Sequence, residues 1–367
     1  MKTSSPKLQQ LLQMAVQSDA SDVILKAGGC PAMRAAGGVR FLGDTPLSHE
    51  AVEAFVAEVL DERGMTNYRR RGSADASLSA GGLGRFRCNA FHQCGNPAMV
   101  LRRIRSDVPP FKDLHLPVEP LKELAARRRG LVLVTGTAGS GKSTTLASMI
   151  EYINRSSSKH IVTVEDPIEY LFTDKRSLVN QREVGTDAPS FPAALRDAVR
   201  QAPDVIMIGE MRDRETTEAA LAAAETGHLV LSTLHTVNAV QTVERIITFF
   251  EPYQHDLIRL QLSLNLAGVV SMRLIRTREG TGRLPAVELL INTPSVREML
   301  EKGETRKLPQ ALAEGAHYGT MTFNQSLIRL FDAGNIPLEE ALAASDNPDE
   351  LKMQMRGITR GGVTAGV

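Results

Sequence analysis

The spacing of apolar residues changes character near residue 119, and this divides the chain. Before that point the pattern is mixed. Leu8, Leu11, Leu12, Ala15 and Val16 share one face of a predicted helix over residues 1–17, and Val52, Phe55, Val56, Val59 and Leu60 do the same over 50–60. Short strands are predicted at 21–26 and 39–42. Residues 74–104 alternate around Gly81-Gly82-Leu83-Gly84, which predicts antiparallel strands joined by a hairpin. Helices mixed with antiparallel strands imply a small α+β domain over residues 1–105. Asp107-Val108-Pro109-Pro110 and Pro117 interrupt regular structure, so residues 106–118 are expected to be a linker.

From residue 119 short, continuously apolar runs alternate with helical stretches: 131–135, 160–164, 205–208 and 228–233. Strands that are apolar on both faces predict a parallel sheet covered on both sides, with ligands bound at the carboxyl ends of its strands. The α/β domain is expected to run over 119–355. The last third of the chain reads as helical, with a dense apolar face over 257–275, and Thr322-x-x-Gln325 before an apolar run predicts a capping box. Residues 356–367 are expected to form a flexible, Gly-rich tail.

Composition narrows the classes. In 367 residues the formal net charge is +1, aromatics are 4% and Trp is absent. No global field draws the chain to nucleic acid, and few rings are available to stack on bases, so no nucleic-acid partner is expected. Cys30, Cys88 and Cys94 form no CxxC pair and imply neither a disulfide framework nor a zinc site, which fits a reducing compartment. The N-terminal helix has no cleavage site, and no apolar run reaches the ~18 residues that span a bilayer. Direct membrane insertion is therefore not expected.

The chemistry concentrates at the predicted strand ends. Gly136-Thr137-Ala138-Gly139-Ser140-Gly141-Lys142-Ser143 matches GxxxxGK[ST] in full, between a buried strand and a helix opening at Thr144. Such a loop wraps a triphosphate with backbone N–H groups; Lys142 reaches the β- and γ-phosphates and Ser143 offers its hydroxyl to Mg²⁺. ATP and magnesium are the expected ligands, held by residues 136–144. The strand at 205–208 leads through Gly209 to Glu210, placed to hold the metal's hydration shell. The strand at 161–164 leads to Glu165, Asp166 and Glu169, one of which is expected to polarise the attacking water. The strand at 228–233 brings His235 to the same edge, where it can sense a γ-phosphate.

In this order the motifs resemble those of the secretion ATPase superfamily. Val164-Glu165-Asp166-Pro167-Ile168-Glu169-Tyr170 is similar to its Asp box, and Val205-Ile206-Met207-Ile208-Gly209-Glu210-Met211-Arg212-Asp213 to its atypical Walker B strand. Ala224-Glu225-Thr226-Gly227-His228-Leu229-Val230 through Leu234-His235-Thr236 is similar to its His box, and Asn180-Gln181-Arg182-Glu183-Val184-Gly185 is a further match. The branch resembled is the PilT/PilU family of type IV pilus retraction motors, over residues 21–349. The resemblance implies a RecA-like ATPase domain with a PAS-like α+β domain before it, assembled as a homo-hexamer in the cytoplasm. It implies attachment to the inner membrane through a pilus platform protein, with a paralogous retraction ATPase as a further partner. It also implies catalytic roles for Lys142 and His235, assigns water activation to Glu169 and the Walker B acid to Glu210, and makes Arg87 and Arg102 the arginines lent to a nucleotide. Where PilT motors carry Ala-Ile-Arg-Asn-Leu-Ile-Arg-Glu, this chain has Ser295-Val296-Arg297-Glu298-Met299-Leu300-Glu301-Lys302, and its C-terminal part is more PilU-like. An accessory retraction motor is thus implied. The alternatives are an ATP-binding regulator or scaffold with little turnover, a motor of a related type II secretion or pilus assembly system, and a RecA-like translocase.

Overall fold

The computed structural model describes residues 5–35, 38–280 and 282–356; the Gly-rich tail at 361–367 lies outside them. The chain forms two compact units, Met1–Asp107 with Glu169–Leu171, and Val108–Ile168 with Phe172–Val367.

The first unit is an antiparallel sheet of β1 (Asp22–Lys26), β2 (Ala32–Ala35), β3 (Gly38–Phe41), β4 (Ser73–Ala80), β5 (Gly84–Gln93) and β6 (Asn96–Arg103), in the order β3-β2-β1-β6-β5-β4. Alternation decides which residues face the core. Phe86, Cys88 and Ala90 of β5 are buried, whereas Arg87 between them is exposed. The helices Pro6–Gln17 and His49–Val59 close the apolar face with Leu8, Leu12, Val52 and Phe55, against Val23, Leu25, Met99 and Leu101. A third helix, Glu62–Arg71, ends in Arg69, Arg70 and Arg71, where cations suit the negative end of the helix dipole.

The second unit holds β7 (Gly130–Thr135), β8 (His160–Glu165), β9 (Leu178–Glu183), β10 (Val205–Ile208), β11 (Leu229–Leu234), β12 (Leu266–Arg276) and β13 (Arg283–Ile291). Their order is β13-β12-β7-β11-β10-β8-β9, parallel throughout except for the antiparallel β12–β13 pair. Each central strand feeds two cores. Leu131 and Leu133 of β7 enter one, Val132 and Val134 the other; Ile206 and Ile208 of β10 are likewise separated from Val205 and Met207. Burial on both faces explains the unbroken apolar runs. The α/β expectation holds: one unit carries a parallel sheet and the smaller one is α+β.

One detail differs from the sequence reading. The stretch 257–275 is helical only over His255–Asn265 and then becomes β12, so the last third is not simply helical. Val269 and Val270 are β-branched, Gly268 lies close against Leu290 O, and pairing with both β7 and β13 overrides the helical period. The segment 180–185 is largely an edge strand, β9. In the stretch 106–118, Val108, Phe111 and Leu116 are buried, and Ser148 Oγ donates to Pro109 O at 2.6 Å. The capping box forms as expected, with Thr322 and Gln325 reciprocally bonded at the start of the helix Phe323–Asp332. Among the described residues no helix is long and apolar enough to cross a membrane.

Candidate functional site

β7 delivers the chain at Thr135 to a sharp loop that opens the helix Lys142–Ser156. Gly136 sits in the left-handed region at φ 147°, and a Cβ there would meet Ser140 Oγ at 2.4 Å and Met272 O at 2.6 Å. Only glycine fits. Gly139 also has positive φ, 75°, but its missing Cβ would meet nothing within 4 Å, so the loop's rim is open to a ligand. Ser140 Oγ is buried with no hydrogen-bond partner. A buried hydroxyl without a partner is costly, and an anion in the loop would relieve it. Ser143 is exposed and Thr144 half-buried in the first turn of the helix, where the dipole favours negative charge. The cradle fits a polyphosphate.

Lys142 is buried, and its ammonium donates to Gly136 O at 2.8 Å and Thr137 O at 2.9 Å. It also donates to His235 Nδ1 at 3.4 Å, and the opposite ring nitrogen, Nε2, lies 3.2 Å from Glu210 Oε1. With Nδ1 accepting from Lys142, Nε2 carries the proton and donates to Glu210. Arg212 Nη2 lies 2.7 Å from the other Glu210 oxygen. Four side chains from three strand ends thus form one polar row, Lys142, His235, Glu210 and Arg212. Burial opposes ionisation of Glu210. The Arg212 hydrogen bond, with the neighbouring His235, Arg212 and Lys142, outweighs it and holds the carboxyl below the ordinary value. Glu210 is therefore a carboxylate at neutral pH, as a metal-shell ligand must be. Ser143 and Glu210 are the oxygen donors suited to a magnesium ion carried by a triphosphate. Next to the row a cavity of about 670 Å³ is lined by Glu210, Arg212, His235, Thr236, Arg245 and Phe249 among others.

The remaining candidates lie elsewhere. Glu165, the last residue of β8, is buried; its Oε1 accepts from Thr163 Oγ1 at 2.7 Å and Gln181 Nε2 at 3.2 Å. Glu169 is exposed and belongs with the first unit, where Leu171 N–H donates to Arg105 O and Tyr170 bridges Arg105. Arg87 and Arg102 are directly opposite each other on β5 and β6, on the exposed face of the antiparallel sheet. Arg102 Nε donates to the buried Asp22 at 2.8 Å, and Arg87 lies 3.9 Å from Asp75. With Asp75, Asn89 and Val100 the two arginines line a cavity of about 420 Å³. Sequence reasoning gave no role to Arg212, although it stands two residues past Glu210. Nor did it assign one to Glu183, a buried acid whose Oε2 lies 3.4 Å from Ile168 N and whose burial follows from β9.

The model of the family Type II/IV secretion system protein matches residues 4–300. The Type IV pilus ATPase PilU of Pseudomonas aeruginosa is 43% identical over 350 residues, 95% of this chain and 91% of its own. The Type IV pilus retraction ATPase PilT of the same organism is 40% identical over 340 residues, 93% of this chain and 98% of its own. A crystal structure of the pilus retraction motor PilT with bound ADP shares 45% identity and a TM-score of 0.86, covering 94% of this chain and 98% of that one.

Proposed function

We propose that this chain, which belongs to the Type II/IV secretion system protein family and within it to the PilT and PilU motors, is an ATPase that powers type IV pilus retraction. One observation carries the reading: the phosphate cradle, Lys142, His235 and the ionised Glu210 form one contiguous polar row at the carboxyl ends of a parallel sheet. A regulator with little turnover would not need that row in working order.

In this reading Lys142 leaves its loop carbonyls for the β- and γ-phosphates, and the N–H groups of residues 136–144 hold the rest of the triphosphate. Ser143 and Glu210 would hold Mg²⁺, partly through water, and the ion would neutralise charge on the phosphates. His235, donating to Glu210, registers the γ-phosphate. Glu169 orients the attacking water. Arg87 and Arg102 come from the neighbouring protomer of a homo-hexamer and stabilise charge developing on the transferred phosphoryl group. Domain boundaries at 105 and 119 separate the arginine-bearing module from the ATPase module. The ring acts in the cytoplasm and reaches the inner membrane through a pilus platform protein, not by inserting into it.

Of the two Pseudomonas aeruginosa motors PilU is the more similar, at 43% identity against 40% for PilT, and this supports an accessory motor that assists a paralogous retraction ATPase. Deletion in the native cell tests this, scored for pilus number and twitching with the paralogue present and absent. Loss of an accessory motor leaves pili retractile while the paralogue is present; bald cells would mean an assembly motor instead. Steady-state turnover of the purified, magnesium-supplied protein tests the chemistry, and a fully active isolated monomer would overturn the shared site.

A further inference from the structure

We propose that Glu288 of β13 and Arg273 of β12 are positioning residues: together they clamp the loop that carries His235 and tie it to the C-terminal helices. This rests on the ATPase reading above and deepens it.

His235 leaves β11 and is followed by residues 236–238 and the helix Ala239–Thr248. Side chains of the β12–β13 hairpin hold this loop's backbone. Ala239 N–H donates to Glu288 Oε1 at 2.8 Å, and Arg273 Nη2 donates to Val237 O at 3.4 Å. Thr242 Oγ1 donates to Asn238 O at 2.7 Å and lies 2.7 Å from Thr236 Oγ1. Asn238 caps Gln241 N–H at 2.9 Å, and Glu288 takes the Ala239 N–H that this cap leaves open. A buried carboxylate is an expensive acceptor for a single amide. What Glu288 adds is a fixed entry angle for the residues that follow His235.

Arg273 is itself fixed from the far side. Its Nη2 reaches both oxygens of Asp346 at 2.8 Å, and its Nη1 donates to Ala344 O at 2.5 Å. The guanidinium lies 3.9 Å from the ring centre of Phe323. A planar group bonded at its edge and stacked on its face has little freedom. Ala344 ends the helix Leu338–Ala344, and Phe323 begins the helix Phe323–Asp332. A displacement of these helices is therefore passed to Val237, two residues from His235. The groups facing Glu288 are Arg273, Asp346 and the Ala239 N–H. Burial, reinforced by Asp346, pushes the Glu288 carboxyl up to about 7, and the N–H and Arg273 oppose that rise.

The test is a double-mutant cycle on steady-state ATP turnover of the full chain with magnesium. Glu288→Ala should lower kcat about 10- to 100-fold, the scale of a misplaced catalytic group, with KM for ATP changed less than about 3-fold. Glu288→Gln keeps an acceptor for Ala239 N–H and should stay within about 3-fold of wild type. Asp346→Ala, a surface change, should lower kcat by a smaller factor. In a His235→Ala background Glu288→Ala should cost nothing further, because its route runs through the histidine. Equal losses with and without His235 would overturn the clamp, and so would a rise in KM alone or a Gln variant as impaired as Ala. If Glu288→Ala fails to fold, the Asp346→Ala and His235→Ala cycle decides by the same criterion. A Lys142→Ala protein with normal turnover sinks the ATPase reading itself; an inactive one with an additive cycle sinks only the clamp.

Discussion

The antiparallel sheet and the parallel sheet display their polar side chains in opposite parts of their geometry. In the first unit one face is buried, and the other displays Arg87, Arg102 and Asp75 side by side. In the second both faces of the central strands are buried, and the row of Lys142, His235, Glu210 and Arg212 appears where those strands stop. A sheet covered on one side presents side chains broadside, spaced by strand separation. A sheet covered on both sides concentrates loop and strand-end groups into a row. The first arrangement suits a surface brought to a ligand; the second suits the pocket that holds it.

The sharpest way to break this comparison is complementation. Lys142→Ala and Arg102→Ala should each lose turnover by a factor on the order of 10³, the scale for a lost phosphate-binding cation or arginine finger. Mixing the two inactive proteins should restore a measurable fraction if the arginine serves another protomer's pocket; no recovery would confine both groups to one chain. Next in size is the core of the parallel sheet. Leu133→Ala should cost about 2–5 kcal/mol by urea unfolding, since both faces of β7 are packed.

A third test uses pH. The Glu288 carboxyl titrates near 7 in the folded chain, against an ordinary value of 4.5. The folded state thus binds this proton more tightly than the unfolded one. The resulting penalty is absent below 4.5, grows as pH rises through that window and is complete above 7. Glu288→Gln removes the penalty, so its stability relative to wild type should improve by up to about 3 kcal/mol between pH 4.5 and pH 8. A pH-independent difference would mean that the carboxylate is better solvated than its burial suggests. The smallest expected effect is on the antiparallel edge. Phe41 is 72% exposed on β3, and Phe41→Ser should change unfolding free energy by less than about 0.5 kcal/mol. A larger loss would show that this edge is covered in the assembled protein.

Much of the second unit was legible because its signals are local. The four central strands are short apolar runs, and residues 136–143 carry their own turn chemistry, so neither needs distant information to be read. The β12–β13 hairpin was not legible. The apolar residues of 257–275 satisfy a helical period and a buried strand equally, and only the available edge of β7 decides between them. Arg87 shows the same limit. Alternation marks it as outward-facing, but its place opposite Arg102 depends on the β5–β6 register.

From the chain alone came the class of chemistry: a triphosphate cradle, a basic residue beneath it and acids at neighbouring strand ends, because each is written within a few consecutive residues. Only the tertiary structure decided which of these groups share a proton or a charge. His235 meets Lys142 across 93 positions, and Glu288 reaches Ala239 across 49. Such pairings are set by strand order and by the depth at which each strand ends, and no local pattern encodes either.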